Sequence, residues 1–135
     1  MKIIVCLDEN NGMAFNGRRQ SRDRTVRADM LALTGGRLCM SPYSARQFTE
    51  KPVAWRVEDD YWQNAGPDDY CFVETEDPAP WASAADQIII YRWHRVYPAD
   101  VAFTVPLAET GWHLVEHTEW SGTSHDRITR EVYAK

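Results

Sequence analysis

Ile3-Ile4-Val5-Cys6-Leu7-Asp8 is followed, one residue later, by Asn10-Asn11-Gly12-Met13-Ala14-Phe15-Asn16-Gly17-Arg18-Arg19-Gln20-Ser21-Arg22-Asp23. The first run is apolar without a break up to Asp8, which fits a strand covered on both faces, as in a mainly parallel sheet. The second stretch contains two glycines, which admit backbone angles closed to other residues, so it reads as a loop of defined shape. A loop at the carboxyl end of a central strand is where open α/β sheets place a ligand. Arg18, Arg19 and Arg22 stand there beside Asp23, Gln20, Ser21 and the apolar Met13 and Phe15.

Outward from this stretch, buried strands and helices alternate. Ser21 is placed to cap a helix to about Thr34, in which Val26, Met30 and Leu33 make one apolar stripe and Gly35-Gly36 the stop. Leu38-Cys39-Met40 reads as a short buried strand, and Ser41-Pro42 as the cap and first residue of a helix to about Phe48. Ser41 is thus also a second place where an anion could sit. Val53–Val57 reads as a short strand and Glu58–Ala65 as a single helical piece before Gly66-Pro67. Tyr70–Val73 and Gln87–Trp93 are further buried strands, with a helical turn over Trp81–Ala85 between them, and Val101–Phe103 is short and extended. Trp112–His117 and Asp126–Tyr133, joined through Ser121-Gly122-Thr123-Ser124, read as an antiparallel hairpin at a sheet edge. The fold class expected is α/β: one domain over residues 1–135, with a mixed, mainly parallel central sheet flanked by helices and a C-terminal antiparallel hairpin.

Composition limits the partners. With 44% hydrophobic and 26% charged residues, 135 residues can bury one core. A net charge of −5 disfavours nucleic acid and anionic membranes, while leaving the local arginine cluster free to hold one small anion. No apolar run approaches the ~20 residues of a membrane span, and no charged-then-apolar leader precedes the first strand, so a cytoplasmic protein is expected. Cys6, Cys39 and Cys71 sit singly in apolar runs and read as reduced core thiols rather than metal ligands. His113 and His117, four apart in a strand, lie about 13 Å from each other, too far for one metal. The contiguous Ser124-His125-Asp126 lacks the arrangement of a Ser/His/Asp triad.

Taken in order, these elements resemble the dihydrofolate reductase fold family. Asn11-Gly12-Met13 after the first strand is similar to that family's mobile active-site loop, and Asp23 falls close to its pterin-binding acid. Leu38–Ser44 resembles the strand-turn-helix that contacts the cofactor phosphate, and Pro98–Phe103 the later loop whose acidic residue braces the active-site loop. Gly111–Val115, Ser124-His125 and the last strand resemble the family's closing hairpin. The resemblance implies a reductase using a nicotinamide cofactor, but three departures oppose that. Where the family has a Gly-Gly pair near the pyrophosphate, Glu74-Thr75-Glu76-Asp77 stands; Pro42 replaces a basic residue; and the middle is short by about one strand. Carboxylates at Glu74, Glu76 and Asp77 would repel a phosphate, so the cofactor is left unassigned and NADPH is disfavoured.

The function expected is therefore binding of a small anionic or heteroaromatic, pterin- or nucleotide-like molecule by a divergent member of this fold that is not a folate reductase. Arg18 and Arg19 would anchor the anion and Asp23, the one candidate catalytic residue, would orient or protonate a ring. Met13, Phe15, Gln20, Ser21, Arg22, Ser41 and Arg92 complete the candidate ligand-binding set, with no metal. Two alternatives stay open: an NAD(P)H-dependent reductase of a pterin-like substrate, and a non-catalytic scaffold whose tryptophans serve a homodimer or another partner.

Overall fold

Strand β1, Lys2–Leu7, is the axis of the molecule. The structure is a computed structural model, and it describes residues 1–52 and 54–135. Ile3, Val5 and Leu7 point to one side of the sheet and Ile4 to the other, and all four are fully buried, as a strand with two covered faces requires. After β1 come β2 (Gly12–Phe15), β3 (Arg18–Arg19), helix α1 (Arg24–Thr34), β4 (Leu38–Met40), α2 (Pro42–Ala45), β5 (Arg56–Val57) and β6 (Tyr70–Phe72). A 3-10 helix over Ala79–Ala84 leads to β7 (Gln87–Arg92), β8 (Val101–Ala102), β9 (His113–Trp120) and β10 (Ile128–Ala134).

Seven strands form one sheet in the order β5-β4-β6-β1-β7-β10-β9. Pairing is parallel from β5 to β7 and antiparallel for β7–β10 and β10–β9. Register is tight at the centre, where Ile4 stands between Phe72 and Ile89. The mixed α/β domain with a C-terminal hairpin is therefore as the sequence led one to expect. Strands β3, β2 and β8 form a separate small sheet, which turns the middle of the expected loop into a β-hairpin. Asn16 (φ 54°) and Gly17 (φ 73°) make its turn in the left-handed region, which fits the Asn-Gly signal of a tight hairpin.

Helix α1 lays Val26 and Met30 on the sheet face that holds Ile4, Ile89 and Tyr91. Tyr91 is wholly buried, so its hydroxyl needs a partner; it donates to Asp29 of α1 at 2.7 Å, and Asp29 also receives Arg130 of β10. The opposite face is covered by the 3-10 helix, by Met13 and Ala14 of the small sheet, and by Tyr61, Phe103 and Trp112.

Several boundaries differ from expectation for identifiable reasons. The cap of α1 is Asp23, whose carboxylate accepts from Thr25 N, and not Ser21. Helix α2 stops at Ala45 because the next bonds, Gln47 N to Ser44 O and Phe48 N to Ala45 O, tighten to i→i+3 spacing. That tightening turns Phe48 into the core, edge-on to Phe72 at 6.1 Å. Glu58–Ala65 is a series of turns rather than a helix. Trp62 stacks on Trp81 at 4.7 Å and the Tyr61 hydroxyl donates to Glu76 at 2.6 Å, which anchors the segment by its aromatics. Of the expected strand Val53–Val57 only Arg56–Val57 pairs, and Val53 lies outside the described residues. Among the described residues, no helix is long and apolar enough to cross a membrane.

Candidate functional site

Asp8, at the end of β1, shapes the approach to the site. Buried to 1% exposure, it accepts from Asn10 N (2.9 Å), Gly12 N (2.7 Å), Gln20 Nε2 (3.0 Å) and Tyr97 N (3.1 Å). Asn11 takes a left-handed φ of 60° inside this turn, an angle Asn tolerates better than most residues. From the small hairpin the chain then runs through Gln20, Ser21 and Arg22 to Asp23. Asp100, in the Pro98–Phe103 loop, accepts from Asn16 N at 3.0 Å and so ties that hairpin down.

Asp23 is 2% exposed. One carboxylate oxygen accepts from Thr25 N, Thr25 Oγ1, Thr123 N and Thr123 Oγ1; the other accepts from Ser124 N and His125 Nδ1. Burial by itself would raise its pKa. The hydrogen bonds from His125, Thr25 and Ser124 outweigh burial and hold it far below the usual carboxylate range. An ionised carboxylate only accepts, so His125 Nδ1 (3.0 Å away) must carry the hydrogen. On the neutral ring, Nε2 then accepts, and two hydroxyls converge on it: Ser21 Oγ at 2.9 Å and Tyr97 Oη at 3.2 Å. Trp93 stacks on the imidazole with centroids 4.5 Å apart. Gly122, whose N–H donates to His125 O at 2.9 Å, closes the loop against Asp23.

The native Asp23 refuses a proton that the unfolded one accepts near pH 4, so its stabilisation is complete above about pH 4 and is lost as pH falls below it. Asp8 is shifted in the same direction: burial raises it, and the bonds from Tyr97, Gly12, Asn10 and Gln20 prevail. Urea unfolding between pH 7 and pH 2 should show stability falling on the acid side, and Asp23→Asn should flatten that limb. An unchanged limb in the variant would deny the linkage.

Ser21 lines an open cavity of about 660 Å³ with Arg18, Arg19, Arg22, Tyr43 and Ser124. An adjoining cavity of about 420 Å³ shares Arg22 and Ser124 and adds Arg24, Arg27 and Arg46. Arg19 is committed: its fork meets Glu74 at 3.0 and 3.3 Å, and its guanidinium lies 4.4 Å from the Tyr43 ring centre. Among the described residues, Arg18 and Arg22 have no carboxylate partner, and no group of three or more His, Cys, Asp or Glu is placed to hold a metal.

Other expected site residues lie elsewhere. Met13 is core, Ser41 caps α2 by accepting from Ser44 N, and Arg92 pairs with Glu131 while reaching Asn11 Oδ1. Phe15 and Gln20 border a neighbouring open depression with Tyr97 and Pro98, which shares Arg18 and Arg19 with the first cavity. His125, Tyr97 and Tyr43 were not in the sequence-derived set. Their partners lie far along the chain, so no local spacing signals them.

Asp23 stands at the head of the first helix, and the turn that precedes the last strand folds back upon it. Over 98% of its length the chain superposes on 94% of a dihydrofolate reductase from Enterococcus faecalis complexed with NADP(H) and RAB-propyl, with a TM-score of 0.63 and 10% identity. The chain has a dihydrofolate reductase-like fold. No protein-family model matches the sequence, and no curated protein matches it. At 10% identity the shared fold says nothing of shared chemistry.

The residues after β6 do not fit a dinucleotide pyrophosphate held in the manner of a reductase of this fold. Glu74, 8% exposed, fills that position and is bonded to Arg19 and to Gln47 Nε2. Glu76 accepts from Tyr61, and Asp77 from Ala79 N and Thr104. A phosphate there would meet carboxylates rather than a row of free backbone N–H groups.

Proposed function

We propose that this dihydrofolate reductase-like domain binds a small anionic molecule in the cavity between the Arg18–Arg22 segment, Tyr43 and Ser124. The observation that carries the reading is that Arg18 and Arg22 face this cavity without a carboxylate partner, in a chain of net charge −5. Elsewhere acidic residues are in excess, so two arginines without acidic partners beside a concave surface mark a place made for an external anion. Tyr43, braced by Arg19, supplies an aromatic wall for a heteroaromatic portion of the ligand. Asp23 has a supporting role, because its lone pairs are already taken up by the protein's own donors.

Calorimetric titration with pyrophosphate and with a set of nucleotides, folate and NADPH tests this. Binding of at least one phosphorylated compound is expected, and Arg18→Ala and Arg22→Ala should each weaken it by about tenfold or more, the worth of a charge-assisted contact. Binding that survives both substitutions unchanged would remove the site from this cavity. Tight binding of NADPH would instead favour the reductase reading.

A further inference from the structure

We propose that Ser21 is a nucleophile, with His125 as its general base and Asp23 as the positioning carboxylate, and that the substrate is a carboxylic ester carrying an anionic group. The anionic part of this proposal rests on the arginine-lined cavity described above; the nucleophile does not. Ser21 Oγ lies 2.9 Å from His125 Nε2, and His125 Nδ1 lies 3.0 Å from Asp23 Oδ2, which is the serine–imidazole–carboxylate relay of acyl-transfer sites.

The burial of the three residues is graded in the way the chemistry needs. The Asp23 and His125 side chains are 0% and 2% exposed, while Ser21 is half-buried and lines the cavity. The ring is held on one face by Trp93 and at Nδ1 by Asp23, so its Nε2 can point only at the two hydroxyls. Tyr97 alone would satisfy Nε2, so purely structural needs do not call for a second hydroxyl. Ser21, two residues before the helix cap, is nevertheless turned to the imidazole and away from the helix N–H groups that Asp23 serves.

In the reaction, Ser21 Oγ forms a bond to the ester carbonyl carbon while its proton passes to His125 Nε2. The carbon–alkoxy bond breaks, and Nε2 returns the proton to the departing alkoxide, leaving acyl-Ser21. Water then attacks the acyl carbon, gives its proton to Nε2, and the serine oxygen leaves with that proton. The products are an alcohol and a carboxylic acid, with no oxidant or reductant required. Arg22, next to Ser21 in sequence and in the same cavity wall, together with Arg18 supplies positive charge for the substrate's anionic group and the developing oxyanion.

The test is covalent labelling with a fluorophosphonate, in which the serine oxygen displaces fluoride from phosphorus, read by intact mass and peptide mapping. One adduct on Ser21 is expected in the unaltered protein, absent in Ser21→Ala and slowed about a hundredfold or more in His125→Gln. A folded protein that yields no Ser21 adduct overturns the proposal, whatever the variants do. Nitrogen-15 shifts of the His125 ring in the unaltered protein should show the hydrogen on Nδ1; a hydrogen on Nε2 in the neutral ring would remove Asp23 from its positioning role. Hydrolysis of mono-p-nitrophenyl succinate should exceed that of p-nitrophenyl acetate, and Arg22→Ala should abolish the difference. Labelling of Ser21 without that preference would overturn the anionic substrate class and leave the nucleophile. Pyrophosphate binding without labelling would overturn the nucleophile and leave the anion site.

Discussion

Replacing Asp23 by Ala should lower the melting temperature by about 10–20 °C. The substitution removes the cap of α1 and, in the same step, the acceptor for the N–H groups of Thr123 and Ser124 and for His125 Nδ1. Loss of a helix cap costs about 0.5–2 kcal/mol by itself. Each buried donor left without its acceptor costs about 1–3 kcal/mol more, and the N–H groups of Thr123, Ser124 and the His125 ring are stranded together. At this chain length each kcal/mol corresponds to roughly 3–4 °C. Asp23→Asn keeps an acceptor oxygen for the cap and should fall well short of the alanine variant. Scanning calorimetry of both variants decides the matter: equal losses would mean that the ionised carboxylate is what the surrounding donors require, and that the one acceptor oxygen and the volume kept by Asn count for nothing.

Gly122→Ala should destabilise the fold by about 1–3 kcal/mol and disturb the site together with it. A Cβ at this position would fall on the Asp23 carboxylate, 2.9 Å from its Cγ, and 2.5 Å from Ile128 Cδ1. Neither neighbour can yield. Ile128 is fully buried, and Asp23 is held by donors from two segments of chain. The gain of about 0.4–1 kcal/mol that alanine brings by restricting the unfolded chain offsets only part of the strain. A thermal melt together with the labelling rate at Ser21 checks both effects. Stability that is unchanged or improved would show that the Thr123–His125 turn is free to shift.

The parts of this fold that could be read from the sequence are those written in local patterns. Ile3–Leu7, Leu38–Met40, Tyr70–Val73 and Ile88–Tyr91 are continuous apolar runs, and each supplies a strand of the large sheet. The stripe of Val26 and Met30 marks the buried face of α1, and Gly35, at φ 62°, ends it. The small β2–β3 hairpin was hidden because its strands are short and its turn residues also suit an irregular loop. Ser21 and Asp23, two apart, are both good helix caps; only the position of the Thr123–His125 turn decides between them. The arginine cluster was legible as a group, but which members are engaged was not. Arg19 is matched by Glu74, 55 residues away, whereas the adjacent Arg18 has no carboxylate partner among the described residues. His125 was the hardest to see, since in the sequence it stands beside Ser124 and Asp126 and in space beside Ser21 and Asp23.

The hydrogen bond between Asp23 and His125 joins residues 102 positions apart. Closing so long a loop is entropically costly, and chains dominated by such distant pairings fold slowly. The parallel pairings from β5 to β7 involve neither strand of the closing hairpin, whereas Ser21 meets its imidazole only where β10 lies on β7 and the 121–125 turn lies over the head of α1. Reactivity at Ser21 would therefore report that the closing hairpin has docked. A chain that has collapsed but not yet docked its last hairpin would be compact, structured and chemically silent.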